Sequence, residues 1–160
     1  MSNASEFRSA VAGTLFNDRG GKDSFDGYFD IVVTCEKAAV DAAAGDATNR
    51  NCWRNKTGMN VRLESAEYVP DAALTAHDTN FATVSVLKGA SAAVTTSAAS
   101  KTTVIANGDW VADTPVALTL SATAANRVLA ADDILCLDIA KAAAGVAVPA
   151  GVLVCKLRRV

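Results

Sequence analysis

Hydrophobic and polar residues alternate with a period of two in the clearest segments of this chain. The alternation runs through Phe-Ala-Thr-Val-Ser-Val-Leu at residues 81–87 and through Val-Ala-Leu-Thr-Leu-Ser at residues 116–121. Successive side chains of a β-strand point to opposite faces, so this pattern predicts strands with one buried and one solvated face. Helices would need apolar positions three and four residues apart, and the alanine-rich segments do not show that spacing.

Six further segments are rich in β-branched, aromatic or large aliphatic residues and are separated by turn sequences such as Pro70-Asp71 and Asn107-Gly108. The run at residues 134–139 is typical of a central strand covered on both faces. About seven or eight short strands predict an all-β fold, a jelly-roll-like antiparallel β-sandwich. The six additional strands are predicted at residues 28–34, 61–69, 101–106, 128–130, 134–139 and 152–157.

The remaining segments are predicted to be connections, with at most one short helix. Residues 36–44 are alanine-rich and end before Gly45, which favours that helix. Residues 45–60 are crowded with Asn and Asp, and residues 90–100 are an Ala/Ser/Thr tract without bulky side chains, so both are predicted to be loops. Residues 1–27 are polar and glycine-rich. They predict an N-terminal arm, which leaves residues 28–160 as the sandwich domain.

The composition indicates which partners to expect. Of the 160 residues, 51% are hydrophobic but only 6% are aromatic, so each side chain buries little area and association with other proteins is favoured. The net charge of −2 gives no field that would attract nucleic acid or an anionic membrane. The longest apolar region, residues 140–155, is interrupted by Lys141 and Pro149 and does not predict a membrane-spanning helix. Glu6 and Arg8 do not fit a secretory signal, so we expect synthesis in the cytosol.

Residues with reactive side chains are few and scattered. The four cysteines, Cys35, Cys52, Cys136 and Cys155, form no C-x-x-C pair and predict no zinc site. Two interpretations remain open for them: buried free thiols, or a disulfide formed after release into an oxidising medium. No cofactor motif is present.

The other candidates for chemistry are the only histidine, His77, and a group of aspartates. His77 lies in a turn-like segment, which favours a surface loop over a general base. Asp132 and Asp133 precede a strand, where aspartate commonly supports a turn, although with Asp138 they offer oxygen ligands of the kind calcium takes. We therefore assign no catalytic, cofactor-binding or metal-binding residue and predict that the protein is not an enzyme.

Several segments between residues 61 and 160 resemble, in order, the pattern of tailed-bacteriophage capsid decoration (cement) proteins. The first is Tyr-Val-Pro-Asp-Ala-Ala-Leu-Thr-Ala-His-Asp-Thr-Asn-Phe-Ala-Thr-Val-Ser-Val at 68–86. It is followed by Asn-Gly-Asp-Trp at 107–110, the strand at 116–120, residues 128–134 and residues 145–154. The tract at 90–100 departs from the pattern, and residues 1–60 have no counterpart in it. The resemblance implies a jelly-roll protein, a homotrimer, that lies between capsomers on the capsid exterior of a virion.

The expected partner is the major capsid protein. The basic residues near the C-terminus have two interpretations: a solvated strand end that discourages edge pairing, or a contact with an acidic shell surface. The alternative function is a head-fibre, tail-fibre or baseplate module that contacts the host, which would be favoured by Trp53 and Trp110 exposed in one groove. The capsid-contact candidates are Phe7, Leu15, Phe16, Arg19 and Phe25 of the arm, with Lys156, Arg158 and Arg159.

Overall fold

The computed structural model describes residues 30–37, 47–90 and 94–160, which form β-strands joined by turns and two short 3₁₀ helices. In the same part of the chain, no helix has the length and apolar character needed to cross a membrane. The 3₁₀ helices are Ile105–Asn107 and Ala124–Arg127. The strands are β1 (Asp30–Lys37), β2 (Ala47–Arg54), β3 (Val61–Pro70), β4 (Ala82–Gly89), β5 (Thr96–Thr102), β6 (Val116–Ala117), β7 (Thr119–Leu120), β8 (Val128–Leu129), β9 (Ile134–Lys141) and β10 (Gly151–Arg159).

The strands form two antiparallel sheets. The first has the order β1-β10-β3-β6, with β8 also pairing with β3, and the second has the order β2-β9-β4-β5-β7. The pairs are nested along the chain, because β1 pairs with β10, β2 with β9, β3 with β6 and β4 with β5. This is the arrangement of one long hairpin rolled into a double sheet, the jelly roll. The predicted all-β jelly-roll sandwich is confirmed.

The segment at residues 116–121 belongs to both sheets. Its first half, β6, pairs with β3 of the first sheet, and its second half, β7, pairs with β5 of the second. Between them, the backbone N–H of Leu118 donates to Ala66 O at 2.8 Å, and that of Ser121 donates to Ala98 O at 2.8 Å. The side chain of Leu118 is buried. One short segment therefore connects the two sheets along one side of the sandwich.

The core lies between the sheets and combines aliphatic side chains with one aromatic pair. The rings of Tyr68 and Trp110 are 5.9 Å apart, and the Tyr68 hydroxyl donates to Pro149 O at 2.8 Å. The other large, fully buried side chains are aliphatic, and each contributes roughly 1.5–3 kcal/mol by burial. They are Leu63, Leu129, Leu135, Leu137, Ile139, Leu153, Leu157, Val61, Val84 and Val86.

Strands with regular patterns lie where the sequence predicts them. The buried residues of β3 alternate over most of its length, and β4 and β10 cover the predicted segments at 81–87 and 152–157. In β9, four consecutive residues, Ile134 to Leu137, are buried, which confirms a strand covered on both faces.

The predicted loop at residues 45–60 is wrong over β2. This strand pairs with β9, but its register shifts between Ala47 and Arg50 and again between Asn51 and Trp53. Such bulges add a residue to one strand and break the period of two on which the sequence argument relied. The polar residues of this segment therefore belong to an irregular strand at the border of the second sheet.

The predicted loop at 90–100 and the predicted strand at 101–106 are both shifted from the observed elements. Strand β5 covers Thr96–Thr102, whereas Ile105–Asn107 is a 3₁₀ helix. Residues 91–93 lie outside the described residues. Strand β5 lies between β4 and β7, so neighbouring strands on both sides provide its backbone hydrogen bonds. Bulky side chains are therefore not needed for this segment to form a strand.

The predicted helix at 36–44 is wrong at its start, because β1 extends through Glu36 to Lys37. The register pairs these two residues with Val152 and Gly151 of β10, so the sheet hydrogen bonds override the local helix signal. The rest of that prediction, residues 38–44, lies outside the described residues, as do the N-terminal arm and its boundary with the sandwich.

Candidate binding surface

The solvent side of the first sheet can be read from the strand register, since directly paired residues lie on the same face. Val32 is paired with Lys156, and Lys156 with Ser65. The intervening residues of β10, Leu153, Cys155 and Leu157, are buried in the core. We call the solvent side the outer face. It comprises Val32, Thr34 and Glu36 of β1, Val152, Val154, Lys156 and Arg158 of β10, and Arg62, Ser65, Glu67 and Val69 of β3.

Four valines lie in a diagonal row on this outer face, which we call the valine strip. Val69 is paired with Val152, Val154 lies two residues further along β10, and Val32 is diagonal to Val154 on β1. Val32 is 62% exposed, and the other three are partly exposed. The solvated face of an antiparallel sheet is normally polar, so an apolar strip of this kind marks a candidate contact surface.

Charged side chains border the valine strip unevenly. Arg62 and Arg158 are directly paired at the end where β1 begins, and Lys156 is on the same side of the sheet. Arg62 Nε donates to Glu64 Oε1 at 2.7 Å, and Glu64 is the additional residue of a bulge in β3. Glu36 lies at the other end of β1. The outer face therefore has three basic residues at one end of its apolar centre, together with Glu64 and with Asp30, which the register pairs with Arg158.

The structure separates the three predicted basic contact residues. Lys156 and Arg158 share the outer face, whereas Arg159, the next residue, points to the opposite side and is paired with the buried Val61. The sequence analysis missed Val32 and Arg62. Alternation with Val61 and Leu63 marks Arg62 as outward-facing, but the unbroken run Ile-Val-Val at 31–33 gives no such signal for Val32. The arm candidates Phe7, Leu15, Phe16, Arg19 and Phe25 lie outside the described residues.

His77 serves the loop in which it lies. The side chain is exposed, and Nδ1 accepts hydrogen bonds from the backbone N–H groups of Thr79 at 3.1 Å and Asn80 at 3.0 Å. A ring nitrogen occupied in this way supports a turn. His77 therefore lies in a surface turn, as the sequence predicts.

Asp132 and Asp133 also support local structure. Asp133 Oδ2 accepts a hydrogen bond from the backbone N–H of Ala130 at 2.9 Å, which confirms the turn interpretation. Asp132 contacts Lys56 and Arg54, and the hydrogen bond and charge of Lys56 lower the pKa of the Asp132 carboxyl. Within the described ranges, no group of three or more His, Cys, Asp or Glu side chains is placed to hold a metal ion.

The two tryptophans do not form an exposed groove. Trp110 is buried, with 2% of its surface exposed, and Trp53 is partly buried against the core. In comparisons with known proteins, no family model, curated protein or solved structure matches this chain. Among the surfaces that the structure describes, the outer face is the strongest candidate for binding a partner.

Proposed function

We propose that this protein is a structural virion component, a cement or decoration protein that binds the outside of a capsid between capsomers. The observation that carries the proposal is the valine strip on the outer face of a jelly roll. Jelly rolls occur in viral capsid and lectin domains, which is compatible with the proposal but does not decide it.

The chemistry of the outer face defines the complementary partner surface. Burial of the valines favours an apolar patch on the major capsid protein. A specific interface needs about 800 Å² per partner, and in this proposal residues of the arm extend the contact made by the strip. Homotrimers repeated over the capsid lattice would add avidity without a strong single contact.

Co-sedimentation with capsids that lack the protein tests this function. We expect the purified full chain to bind at a fixed copy number and to increase the resistance of the shells to heat or chelators. Failure to co-sediment at saturating concentration would remove the cement proposal.

Paired valine variants test the contact surface. Val32 is 62% exposed on the outer face, and Val111 is 60% exposed in the loop after Trp110, so Val32→Asp and Val111→Asp make the same change at equally exposed positions. We expect Val32→Asp to weaken capsid binding about tenfold or more, equivalent to about 1.4 kcal/mol, and Val111→Asp to have little effect. Circular dichroism checks that both variants fold. Equal binding by the two variants would exclude Val32 from the interface.

The arm is tested by a truncation. Deleting residues 1–27 is expected to weaken attachment to capsids while leaving the thermal transition of the sandwich intact. A truncated chain that does not fold would assign these residues to the core and contradict their role as an arm.

A further inference from the structure

Three of the four cysteines meet where the borders of the two sheets come together. Strand β1 is the outermost strand of the first sheet and β2 that of the second. Cys35 of β1 and Cys155 of β10 lie on the inner face of neighbouring strands, two residues apart in register. Cys52 of β2 packs against the same core, at the border where β1 and β2 approach each other, and its thiol lies close enough to Cys35 and Cys155 for both to affect its pKa.

An irregularity in β2 places Cys52 at this position. Asn51 is paired with Cys136 and Trp53 with the adjacent Leu135, so Cys52 is an additional residue in the strand. Its side chain packs against the core cluster that contains Cys35. Cys136 is engaged elsewhere, because its Sγ donates to Asn51 Oδ1 at 3.0 Å. The bulge thus leaves Cys52 packed against the core cluster that contains Cys35, while the Cys136 thiol is hydrogen-bonded to Asn51.

We propose that Cys35 and Cys52 form a disulfide between the two sheets when the protein passes from a reducing cytosol to an oxidising medium. All four cysteines are free thiols in the structure, so it represents the reduced form. The inference is independent of the proposed function, since it concerns the sandwich itself.

The reaction is thiol–disulfide exchange with a small-molecule disulfide, such as oxidised glutathione. The thiolate of Cys52, the only partly exposed cysteine, attacks one glutathione sulfur and releases the other glutathione as a thiol. The Cys35 thiolate then attacks the Cys52 sulfur of the mixed disulfide and releases the second glutathione. Two protein thiols are oxidised, one glutathione disulfide is reduced to two thiols, and the two protons lost by the cysteines are taken up by the released thiolates.

Burial sets the rate of this exchange. Burial is the main cause that raises the pKa of the Cys52 thiol far above its usual range, and the Cys35 thiol beside it adds to the effect. Only the thiolate attacks a disulfide, so oxidation is slow at neutral pH and accelerates as the pH rises.

The closed disulfide would connect the border strands on the side of the sandwich opposite the segment that joins both sheets. A crosslink closing a loop of this size restricts the unfolded chain and is expected to raise Tm by roughly 5–10 °C.

The test incubates the full chain with oxidised glutathione at mildly alkaline pH and maps the disulfides by mass spectrometry after alkylation and proteolysis. We expect loss of two hydrogens, one crosslinked peptide pair containing Cys35 and Cys52, and a higher Tm that dithiothreitol reverses. Cys52→Ser should abolish the crosslink and the Tm gain, whereas Cys136→Ala should keep both. A Cys35–Cys155 link, or four thiols still free after the unfolded chain has oxidised under the same conditions, would overturn the proposal without affecting the capsid-binding experiment.

Discussion

At the scale of single residues, Asn55 shows how one buried side chain organises two loops. Its Nδ2 donates to the carbonyl oxygens of Met59 at 2.7 Å, Ala130 at 2.8 Å and Leu129 at 3.2 Å. Its Oδ1 accepts from the Thr57 hydroxyl at 2.7 Å. The side chain is fully buried and ties the loop after β2 to the turn between β8 and β9.

Removing this amide breaks its hydrogen bonds to three carbonyl oxygens, of which Ala130 O keeps the N–H of Asp133 and Met59 O keeps the Thr57 hydroxyl. We expect Asn55→Ala to lower the free energy of unfolding by about 2–4 kcal/mol. Asn60→Ala, at an exposed position of the same loop, is the matched control and should change it by less than about 0.5 kcal/mol. Urea denaturation of both variants measures the difference. Equal effects would mean that water replaces the amide in the loop.

The buried thiols predict how stability depends on pH. Burial raises the pKa of Cys155 to about 12, with a further contribution from Cys35, and burial also raises the pKa of Cys136. Thiols of the unfolded chain ionise near about pH 8.5. Because the pKa values are higher in the folded state, their contribution is complete below that pH and is lost as the pH rises towards about 12.

We therefore expect the urea midpoint of the reduced protein to fall between about pH 8.5 and 10. The slope should reach at most about 1.4 kcal/mol per pH unit for each such thiol. Measurements run under dithiothreitol exclude disulfide formation, and Cys155→Ala should show a shallower slope than the unchanged chain. A midpoint independent of pH over this interval would contradict the burial of these thiols.

At the scale of elements, sequence patterns identified strands wherever one face is regularly apolar. Strand β4 and the segment containing β6 and β7 alternate clearly, and both were predictable. Strands β2 and β5 were not, because bulges interrupt their period and their residues are polar or small. Propensity is a weak guide where neighbouring strands provide the hydrogen bonds and the cover.

The candidate surface was predictable only in part, for a related reason. Lys156 and Arg158 are separated by the buried Leu157, so alternation places them together and places Arg159 on the other side. Val32 could not be found in the same way, because its neighbours Ile31 and Val33 are equally apolar. Only the pairing of β1 with β10 decides which of these side chains faces outward.

At the bulge in β5, we expect that only a side chain as small as alanine fits at position 98. The register shifts opposite Val86 and Leu87, and both Ala98 and Ala99 are buried. We expect Ala98→Leu to lower the free energy of unfolding by about 1–3 kcal/mol, because the additional methyl and methylene groups have no space. Ala117→Leu, at an exposed strand position, is the control, and thermal denaturation compares the two. A neutral Ala98→Leu would show that the site tolerates larger side chains.

At the scale of the whole molecule, the nested pairing makes stability depend on distant contacts. The first described strand, β1, pairs with the last, β10, so the fold is closed only when the whole length between them is in place. The sheets share the segment at residues 116–121, which hydrogen-bonds to β3 on one side and to β5 on the other. Loss of that segment should affect both sheets at once.

Leu118 is the residue through which this coupling is tested, since its buried side chain lies between β6 and β7. We expect Leu118→Ala to lower the free energy of unfolding by about 2–5 kcal/mol, with a single cooperative unfolding transition. Thr119→Ala, at the exposed neighbouring position, is the control and should change the free energy of unfolding by less than about 0.5 kcal/mol. Amide hydrogen exchange should accelerate together in β3 and β5, which belong to different sheets. Acceleration confined to one sheet, or a transition in two steps, would mean that the sheets unfold separately.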